Sequence, residues 1–156
     1  MRVNCIGPLW LINAILPSMK LNGYGKIINL SSVGGGITAF PGFNLADGMS
    51  KAAIAFMTKQ LAAELIYTNV EVFAICPGAT ETDMFTASTL SKMSEIELRD
   101  FKENLPKKAL IQPEQIADII YFLSQPMGKV MHGAVIDASY GLGVNPSPCI
   151  NIQSLK

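Results

Sequence analysis

Three short apolar stretches, Lys26-Ile-Ile-Asn-Leu-Ser31, Val70-Glu-Val-Phe-Ala-Ile-Cys76 and Ala134-Val-Ile-Asp-Ala138, are separated by segments long enough to be helices. This alternation constrains the chain more than any other feature. A strand, a helix and a second strand fold as a parallel pair joined by a crossover. The crossovers are expected to be right-handed, as nearly all such connections are. Parallel sheets ordinarily have both faces covered and neighbours on most edges, so three strands with an apolar first strand predict part of a larger sheet.

The intervening segments carry helix punctuation. The first helix is expected from about Pro8, a favoured first-turn residue, to Leu21, where Asn22-Gly23-Tyr24-Gly25 stops it. The second runs from Asp47 to Ile66, rich in Ala and Leu and apolar nearly all round. Such a helix needs cover on two sides, one from the sheet and one from another subunit, which predicts a homo-oligomer built through the 8–21 and 47–66 helices. Pro77-Gly78 closes the second strand, and a polar segment from Ala79 to Gln112 follows. Within it, Ser94-x-x-Glu97 is a capping box for a short helix through about Glu103. Connections this long are usually functional lids. Pro113 opens a further helix with the stripe Ile116, Ile119, Ile120 and Leu123. The chain is expected to divide into a folded unit over residues 1–143 and an irregular tail over 144–156, with Pro146 and Pro148.

Composition excludes several function classes. With 49% hydrophobic and 15% charged residues in 156, the chain has enough apolar material for one soluble globular domain. Twelve basic residues balance twelve acidic ones without a basic run beyond Lys107-Lys108, which argues against a nucleic-acid partner. Cys5, Cys76 and Cys149 are far apart and odd in number, so neither a disulfide framework nor a metal site is expected, and a reducing cytoplasm fits. Met1-Arg2 followed by the apolar stretch Cys5 to Leu16 has the outline of a signal peptide. No small-x-small cleavage motif follows, Asn4, Pro8 and Asn13 interrupt the stretch, and it is too short to span a bilayer, so a buried helix and no membrane partner are expected.

Ser31-Ser32-Val33-Gly34, Ser50-Lys51-Ala52-Ala53 and Cys76-Pro77-Gly78-Ala79-Thr80-Glu81-Thr82 occur in an order and spacing that resemble the second half of short-chain dehydrogenases/reductases. Val3-Asn4 before a helix, Pro113-Glu-x-Ile-Ala and Met131-His-Gly-Ala-Val-Ile-Asp137 extend the resemblance from Asn4 to about Gly141. It implies an α/β, Rossmann-like, doubly wound parallel sheet, truncated and lacking the N-terminal dinucleotide-binding half. No G-x-G-x-x-G pattern occurs in the chain. In a full-length enzyme of ordinary domain size roughly a hundred residues would precede Met1. The implied cofactor is NAD or NADP, held tightly only by a full-length protein, because the pyrophosphate rests on the first helix of such a sheet. The implied substrate is a small carbonyl compound or alcohol.

In enzymes of this kind a tyrosine phenol exchanges a proton with the substrate oxygen, a lysine one turn later lowers the phenol's pKa, and a serine holds the substrate oxygen. Carried over residue by residue, the resemblance assigns Ser32 to the serine, Lys51 to the lysine and Asn4 to the asparagine that holds a relay water. Lys51, Pro77, Gly78 and Thr82 fall on the cofactor-facing positions. The tyrosine position is Asp47. Tyr24, Tyr67, Tyr121 and Tyr140 all lie outside the segment from Ser32 to Lys51. An aspartate is shorter than tyrosine, and its reference pKa of about 3.9 is far from neutrality. Asp47 and Lys51, four apart, can form a helix-surface ion pair, Asp47 can act as a desolvated acid, or Lys51 can keep a cofactor contact without fast chemistry. Ser32 can equally close a turn. Met84 and Phe85 either face an apolar substrate or pack within the lid, and His132 is expected to be structural.

Overall fold

The computed structural model describes residues 2–41 and 43–145. A π-helical turn (Arg2–Ile6) leads into α1 (Gly7–Leu21), β1 (Gly25–Leu30), a short helical turn α2 (Val33–Gly36), α3 (Leu45–Leu65), β2 (Val70–Pro77), α4 (Asp83–Ser88), α5 (Glu95–Asn104), α6 (Pro113–Ser124) and β3 (Val135–Ala138). The strands form one parallel sheet of order β1-β2-β3. β2 lies in the middle, and its residues from Val72 to Cys76 are fully buried. No strand pairs with the outer edge of β1 among the described residues.

Strand alternation sends Val70 and Val72 to one face of the sheet and Phe73 and Ile75 to the other. Ile12 of α1 and Ala62 and Leu65 of α3 pack on the first face with Ile27, Val70 and Val72. Ile116 and Leu123 of α6 pack on the second with Phe73 and Ile75. Both faces are therefore covered, as a doubly wound fold requires.

This arrangement corrects the expectation that both crossovers are right-handed. The chain steps in the same direction from β1 to β2 and from β2 to β3, yet α3 and α6 lie on opposite faces. Two such connections necessarily have opposite hands. The rule arises from a twisted strand feeding a helix directly back onto the sheet, and α3 is the helix that does so. The β2–β3 connection first passes through α4 and α5, which frees α6 from that steric constraint.

The long polar segment carries more structure than its capping box indicates. The box is formed: the Ser94 hydroxyl accepts from Glu97 N–H at 3.3 Å, and the Glu97 carboxylate accepts from Ser94 N–H at 2.8 Å. Before it stands α4, whose first turn Thr82 caps by accepting from Phe85 N–H at 3.2 Å. Leu90, Leu105 and Leu110, with Phe85 and Phe101 against them, make a small third core under these helices.

His132 is a structural strut. Its Nδ1 accepts from the Val72 N–H at 3.2 Å and its Nε2 lies 2.9 Å from the Ala62 carbonyl, so the ring ties α3, β2 and the approach to β3 together. Because a carbonyl only accepts, Nε2 carries the proton in this arrangement.

Lys26 and Glu71 are register partners on β1 and β2, and their charges meet at 2.6 Å with side chains only 10% and 8% exposed. Lys26 also donates to the Gln125 carbonyl at 3.4 Å and lies 5.7 Å from the Phe73 ring centroid. Substitution Lys26→Met strands the Glu71 carboxylate, and we expect a loss of about 3 kcal/mol in denaturant-derived stability. The double variant Lys26→Met/Glu71→Leu should recover most of it, because an apolar pair of similar volume replaces a buried ion pair at little cost.

Candidate active site

The sequence-derived candidates converge at the carboxyl ends of β1 and β2, on the face covered by α3. Ser31 is buried and donates its hydroxyl to the Lys51 carbonyl at 2.7 Å, which fixes the first turns of α3 against the end of β1. Asn29, two residues earlier and so on the same side of the strand, donates to the Thr58 hydroxyl at 2.9 Å. Ser32 begins α2 in an extended conformation, and its side chain makes no capping bond there. The glycines that follow permit close approach. Gly35 has a positive φ of 88° and packs so tightly on the Gly48 carbonyl that a Cβ would overlap it. A Cβ at Gly36 would lie 2.6 Å from the Ser31 hydroxyl and 2.7 Å from the Cys76 sulfur.

At the start of α3, Asn44 is the N-cap and accepts from the Asp47 N–H at 3.0 Å. The helix thus begins two residues before the predicted start, and Asp47 occupies its third position. Asp47 is exposed and Lys51 half-buried. They form no ion pair in the described structure, so the helix-surface pair that their spacing allowed is absent. The physical reason is that the two side chains serve different environments. Asp47 sits in solvent over the helix N-terminus, where a carboxylate is favoured. The Lys51 ammonium lies close enough to Cys76 to favour the thiolate there.

Asn4 lies in the π-helical turn, a distortion that often accompanies functional positions. Its Nδ2 donates to the Ser50 hydroxyl at 3.1 Å, and Ser50, buried, donates onward to the Asp47 carbonyl at 2.8 Å. Ser50 therefore couples the Asn4 turn to the α3 backbone at Asp47. On the neighbouring strand end, the Gly78 N–H donates to the Ala138 carbonyl at 3.2 Å, and Thr80 donates to the Gly78 carbonyl at 3.1 Å. Thr82 uses an oxygen lone pair to cap α4, which leaves its hydroxyl proton available to a ligand. Phe85 packs into the small third core, with its ring centroid 6.3 Å from that of Phe101, while Met84 is exposed.

No tyrosine fills the place of Asp47. Tyr24 and Tyr67 stand at the opposite end of the sheet, in the turns before β1 and β2, Tyr121 is exposed on α6, and Tyr140 donates to Gln115 at 2.7 Å. Among the described residues no group of three or more His, Cys, Asp or Glu side chains could hold a metal ion.

The chain matches a family model described as enoyl-(acyl carrier protein) reductase over residues 1–143. It is 35% identical over 143 residues to 2-(R)-hydroxypropyl-CoM dehydrogenase of Xanthobacter autotrophicus, covering 90% of this chain and 55% of that protein. The chain belongs to the short-chain dehydrogenase/reductase family. Its fold superimposes on 3-oxoacyl-[acyl-carrier protein] reductase from Brucella melitensis with a TM-score of 0.77 and 30% identity, over 88% of this chain and 49% of that one. A structure of actinorhodin polyketide ketoreductase with NADPH gives a TM-score of 0.77 at 26% identity, over 90% and 56% of the two chains. The chain spans about half the length of the curated relatives it matches. The three-stranded sheet with helices on both faces is thus a Rossmann-like unit of the short-chain dehydrogenase/reductase fold.

Sequence motifs alone missed the polar struts Asn29–Thr58, Ser31–Lys51 and Asn4–Ser50, and the central place of Cys76. The signal for Ser31 was its position beside Ser32. For Ser50 nothing but its place before Lys51 pointed to it. Cys76 is fully buried between β1 and α3, and burial pushes its thiol pKa above the ordinary value of 9.0. The nearby Asp137 carboxylate raises it further, whereas Ser31, the Ser32 backbone and Lys51 oppose the rise.

A thiol with a raised pKa in the folded state contributes stability that is fully present below the unfolded value and is lost as pH rises through the folded one. Wild type should therefore lose denaturant stability progressively above about pH 9. Cys76→Ala should remove that component of the pH dependence while lowering the neutral-pH baseline, as measured by urea midpoints across the alkaline range.

Proposed function

We propose that this chain is the nicotinamide- and substrate-facing part, residues 1–143, of a cytoplasmic NAD(P)-dependent oxidoreductase acting on an alcohol or carbonyl compound. The observation that carries this reading is that the Ser32 backbone and Lys51 both lie by Cys76 at the carboxyl end of a parallel sheet, where Ser31 bonds the Lys51 carbonyl and Asn4 bonds Ser50. Ser32 would hold the substrate oxygen, and Lys51 and the hydroxyl proton of Thr82 would face the nicotinamide end of the cofactor. These groups fit that end alone. The sequence contains no G-x-G-x-x-G turn suited to the pyrophosphate, so tight dinucleotide binding is not proposed for the chain by itself. Bound nicotinamide would supply hydride chemistry, and the chain's own task would be to orient the substrate oxygen and pass it a proton.

Asp47 makes that last task the weak step. Its exposed carboxyl is shorter than a phenol, which leaves a gap to a substrate oxygen unless a water fills it. A second reading is therefore a non-catalytic family member that acts through its helices. The groove of about 330 Å³ between α1 and α3, lined by Leu9, Ile12, Phe56, Met57 and Leu61, favours it. Trp10, Leu11 and Phe56 stand exposed on these two helices. An apolar face of this kind is suited to the same face of a second copy, which supports a homo-oligomer.

The deciding experiment compares the native sequence with Asp47→Tyr, each in the context of its complete gene product, for NAD(P)H oxidation over a panel of carbonyl compounds. Turnover confined to the Tyr variant supports the non-catalytic reading. Robust turnover by the native protein requires another proton donor and removes that reading. For the chain alone, NADH should show no saturable binding below about millimolar concentration, as read by fluorescence titration.

A further inference from the structure

At the end of the sheet remote from Ser32 and Lys51, where the strands begin and α1, α3 and α6 end, three loops meet. Gly25 N–H donates to the Asn69 carbonyl at 3.3 Å, Lys129 donates to the Asn69 side-chain oxygen at 3.3 Å, and Lys26 reaches the Gln125 carbonyl at 3.4 Å. These bonds hold residues 20–25, 66–69 and 125–133 together as one surface. Each loop presents large apolar side chains to solvent: Leu21 and Tyr24, Ile66 and Tyr67, Met127 and Val130. Isolated exposed apolar residues are ordinary, but six drawn from three loops at one pole form a patch.

The side chains of the patch are strongly exposed. Tyr67 is 98% exposed, Val130 90% and Leu21 88%, so their side chains stand clear of the protein. The three loops contain neither Asp nor Glu, and the one carboxylate in the helix turns that lead into them, Glu64 at the end of α3, accepts from Gln60 at 2.9 Å. Lys20 in the last turn of α1 and Lys129 supply positive charge, while Lys26 is committed to Glu71.

We propose that this pole docks on an anionic lipid surface. Protruding apolar and tyrosyl side chains can enter the boundary between headgroups and acyl chains without needing a complementary pocket, and flanking lysines meet the headgroups. A protein partner would have to supply a separate pocket for each of six prominent side chains. The three helix C-termini at this pole carry partial negative charge that disfavours anions, and Lys20 and Lys129 offset it. No described helix is long and apolar enough to cross a membrane, so the contact is superficial. Docking by this end leaves the carboxyl edge of the sheet facing away from the membrane. The proposal does not depend on whether the site is catalytic.

The test is flotation of the full chain with phosphatidylcholine vesicles, with and without about one-quarter phosphatidylglycerol. Binding should require the anionic lipid and weaken with added salt. It should fall roughly tenfold or more in Tyr67→Ser/Val130→Ser and also fall in Lys20→Glu, with circular dichroism unchanged because all three positions are exposed. Absence of binding to the anionic vesicles, or equal binding by wild type and both variants, overturns the proposal. So does concentration-dependent self-association that Tyr67→Ser/Val130→Ser abolishes, since the occupant of the patch would then be a second copy.

Discussion

Everything in this structure hangs on β2. Its side chains from Val70 to Cys76 are buried on both faces, and its backbone pairs with strands on both sides. Full burial of a residue such as Phe73 or Val72 stabilises the fold by about 1.5–3 kcal/mol each. Alternation along the strand lets one segment nucleate two separate cores, Val70 and Val72 with α1 and α3, Phe73 and Ile75 with α6. A one-residue slip in register would exchange these sets and place Glu71, the partner of Lys26, among the apolar residues under α3. The ion pair between Lys26 and Glu71 thus penalises the wrong register on the same strand whose apolar residues provide the stability.

The direction of β2 also separates the molecule's two ends. Parallel strands bring all their carboxyl ends to one pole, and there the polar struts gather: Ser31 to Lys51, Asn4 to Ser50 and Asn29 to Thr58 tie α3 and the Asn4 turn to the sheet. These bonds are made by buried or half-buried groups, so each partner would be left unsatisfied if the other were removed. The opposite pole is assembled from helix C-termini and turns, where loops are short and hydrogen bonds run between backbone groups and lysine or asparagine side chains. Buried polar bonds between side chains thus gather at the carboxyl end of the sheet.

The parts of this fold legible in the sequence are those governed by local rules. The three strands, the helix opened by Pro113 and the Ser94–Glu97 capping box follow from alternation, helix period and first-turn chemistry, each set by residues within a few positions of one another. What escaped depended on distant parts of the chain. The hand of the β2–β3 crossover follows from α6 lying on the face opposite α3, which no local pattern records. Short α4 was hidden in a polar segment because its stabilisation comes from Phe85 packing on Leu90, Leu105 and Phe101 rather than from an amphipathic stripe. The pairing of Asp47 with Lys51 was allowed by spacing alone and is not formed, Asp47 standing exposed and Lys51 half-buried near Cys76. The apolar pole was invisible for a simpler reason: its six side chains come from three loops, none of which is hydrophobic as a stretch.

Asp47 shows how well a residue can suit its place in a helix. At the third position of α3, with Asn44 capping its N–H, a carboxylate gains about 0.3–1 kcal/mol from the helix dipole. A tyrosine there would forgo that gain and set an aromatic ring in solvent unless a ligand or lid covered it. Local stability therefore favours aspartate whenever the position is not required to move a proton. The backbone around it has nonetheless kept its shape. Ser50 still bonds the Asp47 carbonyl and Asn4, and Gly35 still lies against Gly48 with a positive φ that only glycine adopts without strain. Such a scaffold is indifferent to which side chain stands at position 47, because every one of these contacts is made by its backbone or by its neighbours. The contacts around position 47 thus belong to its backbone and its neighbours, and a change of this side chain would leave them in place.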